Sequence, residues 1–407
     1  MKSEPVSSGL ASSSTARNIN RDIVLELIRT TQPIARVELA RESGLQPSTI
    51  SQIVEQLLAE GWIVEGSTAL RPRGRRPTML SLNSDMLVLS VDLRPTQALV
   101  AAFDLHNRLL MQEQVPVYSD PARSTEGILT AIQSLRARHP GKQFEGIGVS
   151  VPGRVDPERQ ELLLAPNLAW RGFDLRKMLQ RRTNLQVEME NEANVSLIDE
   201  IWSGRLGNYH NVVLISISEG IGASLLVNGQ MVTGKSGMAG EFGHISLDPN
   251  GPVCGCGRRG CWEMFSSTRA TLRHYAQISR SKLPITITDL VHMAESGDKL
   301  ATAALQHQAT YFGKGLQIVV TSLAPELVIA TGDVTLSWPG FASTVQAELS
   351  SHLLAGEPPE LSIITRSDLT RLRGAAALVL QRHAGYHRYT HSPMNGRVLP
   401  RRRRAAD

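Results

Sequence analysis

The stretch GKSGMAGEFGHISLDPNGPVCGCGRRGCWE, residues 234–263, contains every cysteine of the 407-residue chain. Its histidine and three cysteines are His244, Cys254, Cys256 and Cys261, spaced His-x9-Cys-x-Cys-x4-Cys. An odd number of thiols this close together is poor material for a disulfide framework and good material for a metal knuckle. Zinc in a closed structural site takes four tetrahedral nitrogen or sulfur ligands, and glycines at 255, 257 and 260 let the backbone wrap an ion tightly. Four protein ligands leave no open coordination position, so the spacing implies structural Zn2+ and argues against a catalytic metal. Glu241 and Glu263 flank the ligands. Braced by the loop, Glu241, His244 and Glu263 have the chemistry to bind a polyol, because hydrogen bonds from hydroxyls to carboxylates are charge-assisted.

On both sides of this loop the chain alternates apolar, β-rich runs with helical segments. LVLSVDL (87–93), ALVAAFDL (98–105), EGIGVSVPG (145–153) and NVVLISIS (211–218) read as buried strands. ILTAIQSLRAR (128–138), LRKMLQRR (175–182) and NVSLIDEIWSG (194–204) read as helices, SLAPELVIATGD (322–333) as a strand approach and LRGAAALVLQR (372–382) as a closing helix. Such alternation predicts an α/β fold. SEGIGASLLVNGQ (218–230) sets Gly220 and Gly222 directly after a strand, where backbone N–H groups can meet a phosphate or a sugar; an ordinary hairpin turn fits equally well. In MENEANVSLIDE (189–200), Asn191, Glu192 and Asn194 open a helix, and Asn191 also fits a plain N-cap.

Composition narrows the class. Hydrophobic residues at 41% and charged residues at 20% fit a soluble globular protein, and the length calls for two or three domains. No apolar run reaches about 18 residues, and the polar, Ser-rich N-terminus lacks a secretory core segment, so no membrane span and a cytoplasmic location are expected. The net charge is +5, but residues 382–407 alone carry seven Arg and one Asp, which leaves the remainder close to neutral. That excludes a uniformly basic nucleic-acid coat and leaves room for local basic elements.

Such an element lies near the N-terminus. VELARES (37–43) is a short amphipathic helix ending at Gly44, and Pro47 opens a second helix with apolar residues at Ile50, Ile53, Val54, Leu57 and Leu58 that stops at Gly61. The Ala40–Gly44–Ile50–Ile53 spacing is that of a helix-turn-helix. Its outer face presents Gln46, Ser48, Thr49, Ser51, Gln52 and Gln56, donors and acceptors suited to base edges and phosphates. WIVEG (62–66) and LRPRGRRPTMLSLN (70–83) then frame an Arg-rich turn with Arg71, Arg73, Arg75 and Arg76, a wing suited to a narrow minor groove or to phosphates. Together these features predict a double-stranded DNA operator as partner.

With these residues in view, the chain over roughly 19–384 resembles the ROK family of repressors, open reading frames and sugar kinases. The resemblance is most specific over 234–263 and extends to GVSVPGRVD (148–156) and PNLAWRGFDL (166–175). It implies an actin-like, two-lobed sugar-kinase fold, and the N-terminal winged helix points to the repressor branch. It places Asn167, Asn191, Glu192, Glu241, His244 and Glu263 on sugar-contact positions. The chain departs from the kinases where they handle phosphate. Their first phosphate loop reads Asp-x-Gly-Gly-Thr; here it is Asp92-Leu-Arg-Pro-Thr96, with Arg94 and Pro95 in place of both glycines. Pro removes an N–H donor. The catalytic base of the kinases, the Asp of an Asn-Asp pair, is Glu192, one methylene longer, and positioning supplies much of phosphoryl-transfer catalysis. A later Gly-Gly pair is matched by Thr331-Gly332-Asp333.

The expected organisation is a flexible arm over 1–18, a winged helix-turn-helix over 19–83, a sugar-binding actin-like domain over 84–384, and a disordered basic tail over 385–407. The expected function is a sugar-responsive bacterial transcriptional regulator, most simply a repressor and not an enzyme. Its effector would be a sugar or sugar phosphate, and it would work as a homodimer or dimer of dimers. An active sugar kinase with a DNA-binding appendage, or a repressor controlled by a protein partner, are the alternatives.

Overall fold

The computed structural model describes residues 13–68, 77–156, 158–168, 170, 173–280, 283–351 and 357–381. The wing arginines Arg71, Arg73, Arg75 and Arg76, and the basic tail over 385–407, lie outside the described residues.

The N-terminal unit consists of α1 (Ser13–Thr31), β1 (Ile34–Ala35), α2 (Arg36–Ser43), α3 (Pro47–Ala59), β2 (Ile63–Thr68) and β3 (Thr78–Leu82). The strands form an antiparallel sheet in the order β1-β3-β2. Helix α1 begins at Ser13, inside the span read as a flexible arm. No Gly or Pro interrupts residues 13–31, so a helix anchored by buried Val24, Leu25 and Ile28 propagates back, each added residue gaining a hydrogen bond without a new nucleation cost. Ile50, Ile53, Val54 and Leu57 form the buried face of α3, and Gly44 makes the α2–α3 turn with φ 69°.

Two lobes follow. Lobe 1 contains β4 (Met86–Leu93), β5 (Gln97–Asp104), β6 (Leu109–Pro116), α4 (Pro121–Ala137), β7 (Gln143–Val151), a small hairpin of β8 (Arg154–Val155) and β9 (Leu162–Leu164), α5 (Leu175–Thr183), β10 (Gln186–Asn191) and α6 (Glu192–Trp202). Lobe 2 contains β11 (Val212–Ile217), β12 (Ile221–Val227), β13 (Gln230–Val232), the cysteine loop, α7 (Glu263–Ser266), α8 (Thr268–Ser279), α9 (Ile287–Glu295), α10 (Lys299–Leu323), β14 (Leu327–Gly332), α11 (Trp338–Ser350), β15 (Glu360–Ile364) and α12 (Ser367–Gln381). The sheets run β10-β7-β4-β5-β6 and β13-β12-β11-β14-β15. In each, three strands form an antiparallel meander and two more add in parallel beside the first. This repeated order defines the actin-like fold.

The helices that close the two halves of the chain, α6 and α12, pack together; α12 lies on the lobe 1 sheet and α6 touches strands of both sheets. Gly374 permits their close approach, since a Cβ there would lie 1.9 Å from the Val195 carbonyl oxygen. Apolar side chains alternate along the strands with period two. Leu89, Val91 and Val100 face an outer layer of α4 and α5, whereas Val88, Ala101 and Phe103 face α6 and α12. Lobe 2 has its own outer layer, where Phe312 and Leu316 of α10 meet Val345 and Leu349 of α11.

Candidate functional site

The cysteine loop brings its predicted ligands together. The ligand atoms of His244, Cys254, Cys256 and Cys261 all lie within 4.8 Å of one another. Cys254 Sγ is 3.5 Å from His244 Nδ1, and Cys256 Sγ is 3.6 Å from Cys261 Sγ. A tetrahedron with metal–sulfur bonds of about 2.3 Å has edges of about 3.8 Å, so the donor set fits a four-coordinate ion. Local backbone geometry makes this possible: Gly257 and Gly260 take positive φ of 88° and 63°, and isolated bridges at Ser246–Cys261 and Val253–Arg259 close the loop on itself.

Next to the ligands stand two of the predicted sugar contacts. Glu241 and His244 share one turn of 3-10 helix, with Glu241 Oε2 3.7 Å from His244 Nε2. Glu263 opens α7; its Oε1 lies 2.9 Å from Cys254 Sγ and 3.6 Å from His244 Nδ1. Glu263 therefore packs on the metal-ligand side of His244, and Glu241, half exposed, faces the other ring nitrogen. The Gly220–Gly222 turn joins this group to the rest of the cleft. A Cβ on Gly220 would meet Glu263 Oε2 at 2.9 Å, and one on Gly222 would meet Ala193 Cβ at 3.4 Å, in the first turn of α6.

That turn carries Asn191 and Glu192. Asn191 Oδ1 accepts from the Ala193 N–H at 2.9 Å and its Nδ2 donates to the Gly153 carbonyl at 2.7 Å, so it is a true N-cap that also ties β10 to the turn after β7. Asn194 donates to buried Glu190 at 3.2 Å. Asn167 lies exposed on a short 3-10 turn just beyond Ala165, which packs on Gly153. Burial pushes the Glu192 carboxyl up, against the pull of Arg371.

Arg371 was not singled out from the sequence, and it holds the cleft floor together. It is buried on α12, and its Nε donates to both Asp92 oxygens at 3.1 and 3.0 Å. Arg94 Nε donates to Asp92 Oδ2 at 2.8 Å and Arg94 Nη2 to Asp368 Oδ1 at 2.6 Å; Arg371 Nη2 is 3.5 Å from the same Asp368 oxygen. The four residues close a ring of alternating charge. Burial opposes the Arg371 charge, but Asp92 and Glu192 outweigh it and hold the guanidinium above the usual arginine range. The only sequence signal was a pair of cations, Arg371 and Arg373, opening a run of small and apolar residues, RLRGAAALVL. Across the cleft, Asp333 follows β14 and accepts from Thr268 Oγ1 at 2.9 Å.

At the N-terminal unit, Gln46, Ser48, Gln52 and Gln56 are exposed on α3, and Thr49 and Ser51 are half-buried. Ser51 Oγ donates back to the Pro47 carbonyl at 3.0 Å, and Gln56 Nε2 donates to Glu60 at 2.7 Å, so part of the face is engaged within its own helix.

A two-lobed actin-like domain with a His-and-Cys loop that could hold a metal, preceded by a winged helix-turn-helix, is the class defined by this geometry. The family models agree: residues 88–382 match the ROK family and residues 8–64 match winged helix-turn-helix DNA-binding domains. The chain belongs to the ROK family. It is 30% identical over 348 residues to the xylose repressor of Bacillus spizizenii, covering 84% of this chain and 90% of the repressor. Among solved structures, a ROK family transcriptional regulator, homolog of E. coli Mlc, superposes with a TM-score of 0.76 at 24% identity, covering 91% of this chain and 99% of that one. A ROK family glucokinase from Streptomyces griseus, in complex with glucose and AMPPNP, superposes with a TM-score of 0.64 at 27% identity over 72% of this chain and 99% of the kinase. Among the described residues, no helix is long and apolar enough to cross a membrane.

Proposed function

We propose that the protein is a sugar-responsive bacterial transcriptional repressor whose kinase site has degenerated. One observation carries this reading. A helix-turn-helix shares a chain with a ROK cleft, and in that cleft Asp92, the first residue of the phosphate loop, is fully engaged by Arg94 and Arg371. Two guanidinium groups occupy the charge that a nucleotide's metal and phosphates need, and Pro95 removes a backbone donor. Glu192 then serves as a hydroxyl acceptor and not as a catalytic base. Asn167, Asn191, Glu192, Glu241, His244 and Glu263 form the sugar-contact set. A zinc ion held by His244, Cys254, Cys256 and Cys261 supplies a structural brace that keeps Glu241 and Glu263 in place.

In this mechanism, sugar binding between the lobes changes their closure. Closure changes the spacing of two winged helices in a homodimer or dimer of dimers, whose half-sites lie about 34 Å apart on DNA. Gln46, Ser48, Thr49, Ser51, Gln52 and Gln56 read the operator, and Arg71, Arg73, Arg75 and Arg76 contact phosphates or the minor groove. The test is operator affinity, after in-vitro selection of the operator, with and without D-xylose or D-glucose, together with an ADP-release assay on the same sugars. Thr49→Ala and Gln52→Ala are each expected to weaken specific binding by about 1–3 kcal/mol, and Arg75→Ala to flatten the salt dependence. Turnover near the usual kinase range of about 1 per second or more would overturn the repressor reading in favour of an enzyme.

A further inference from the structure

Two parallel helices run from the cleft to the DNA-binding unit. At the cleft end, α6 starts at the Asn191 cap and Glu192, and the first turns of α12 supply Asp368 and Arg371 to the ion-pair ring around Asp92. At the far end, Trp202, the last residue of α6, and Leu380, near the end of α12, line a small apolar gap with Leu25 and Arg29 of α1, Trp62 and Leu105. There the Arg29 guanidinium sits 4.5 Å from the centroid of the Trp202 ring. It is aimed by two hydrogen bonds to Glu26, at 2.7 and 2.6 Å.

We propose that α6 and α12 act as a strut through which the DNA-binding unit reads cleft occupancy, and that the stacking of Arg29 on Trp202 is the contact where it is read. The proposal rests on the sugar-sensor reading above. Three features carry it. First, one continuous apolar core joins Val24, Ile28 and Trp62 of the N-terminal unit to Leu197 and Trp202 of α6, Ala376 and Leu380 of α12, and strands of both lobes. Packed cores switch between discrete arrangements and do not deform smoothly, so a shift at one end is passed on. Second, α6 is eleven residues long, about 16 Å, and a helix keeps its length. The Gly374–Val195 approach leaves no room for α12 to slide along α6 without moving backbone, so the pair travels together. Third, α1 packs on both α2 and α3, so displacing α1 displaces the reading helix. A cation held over an indole face needs that face in place, and the Glu26 fork keeps Arg29 from following the ring.

The experiment compares operator affinity with and without saturating D-xylose or D-glucose in the full-length parent, Arg29→Gln, Trp202→Leu and Trp202→Phe, with sugar affinity measured separately by calorimetry. In Arg29→Gln and Trp202→Leu, sugar affinity is expected to stay within about twofold and sugar-free operator affinity within about threefold, while the sugar-induced loss of operator affinity shrinks at least fivefold. Trp202→Phe keeps a ring face and is expected to retain most of the response, a rescue that general loosening of the core would not produce. Full responses in Arg29→Gln and Trp202→Leu overturn the contact and leave the sensor reading intact, as does a Phe variant no better than Leu. If Trp202→Leu does not fold, Arg29→Gln at its partly exposed site decides alone. A parent whose operator affinity neither sugar moves fails at the sensor reading itself, and the strut falls with it.

Discussion

Lobe 1 passes from its meander to its parallel strands through a single 17-residue helix, α4; lobe 2 spends residues 233–326 on the same step, including the cysteine loop and helices α7 to α10. The strand order is otherwise identical. The two lobes therefore hold their halves of the cleft by different physics. In lobe 1 the functional turn is fixed by buried ion pairs from a helix 279 residues away, which are strong only while both partners are present. In lobe 2 the carboxylates sit beside a loop whose His244, Cys254, Cys256 and Cys261 are near neighbours in sequence and could hold a metal, and an ion bound there would order it more than distant packing does.

Removing the metal ligands is expected to produce the largest difference between the lobes. Cys261 is fully buried, and Cys261→Ser should lose about one metal ion per chain by elemental analysis. The cost should be on the order of 3–5 kcal/mol, well below the roughly 10–16 kcal/mol of zinc peptides that have no other core. At about 2–4 °C per kcal/mol, lobe 2 should melt about 10 °C earlier while lobe 1 barely moves. A uniform drop across both lobes would erase the contrast.

The ion-pair ring comes next. Arg371→Met leaves Asp92 buried without its main partner and should cost about 3–5 kcal/mol in urea unfolding, concentrated in lobe 1. Arg371→Met combined with Asp92→Asn should recover much of that loss, because Asp92 is then no longer a buried charge without its main partner. A double variant as unstable as the single one would show that packing, and not charge, accounts for the loss.

Acid should move the lobes in opposite directions. In lobe 2, burial and then His274 and Lys314 push His307 down from 6.5 to about 4. The unfolded chain takes the proton first, so lobe 2 loses stability as pH falls from about 6.5 toward 4. With the residue partly open to solvent, about 1–2 kcal/mol is expected. In lobe 1, burial outweighs Arg205 and raises Asp199 from 3.8 to about 6. Here the folded form takes the proton first, so this contribution is present below about 3.8 and is lost as pH rises through about 6. Melting curves resolved by lobe between pH 7 and 4.5 check both signs; His307→Phe should flatten the first trend and Asp199→Asn the second. The smallest effect belongs to the lobe 1 surface. Glu126 and Arg182 pair at 2.6 Å with both side chains about half exposed, and Glu126→Gln should change stability by less than about 0.5 kcal/mol.

Much of this protein was readable from local pattern. The His-and-Cys set lies within 18 consecutive residues, and the buried strands β4, β5, β7 and β11, the α3 face and the α2–α3 turn announced themselves through apolar runs, periodicity and glycine placement, whereas the more exposed strands β6 and β15 did not. Arg94 and Pro95, in the turn after β4, were equally visible. Which charge would meet Arg94 was not. Asp368 lies 274 positions away and Arg371 lies 279 from Asp92, and an arginine in a helix looks the same in sequence whether it faces water or a buried carboxylate. The packing of Glu263 on Cys254, the start of α1 at Ser13 and the seating of Arg29 on Trp202 belong with it. Which residues want burial, turns or a metal follows from local chemistry, since those preferences arise within a few residues. Which buried charges are partners and which helix ends touch emerges with the fold, because that depends on how two distant segments are brought side by side away from water.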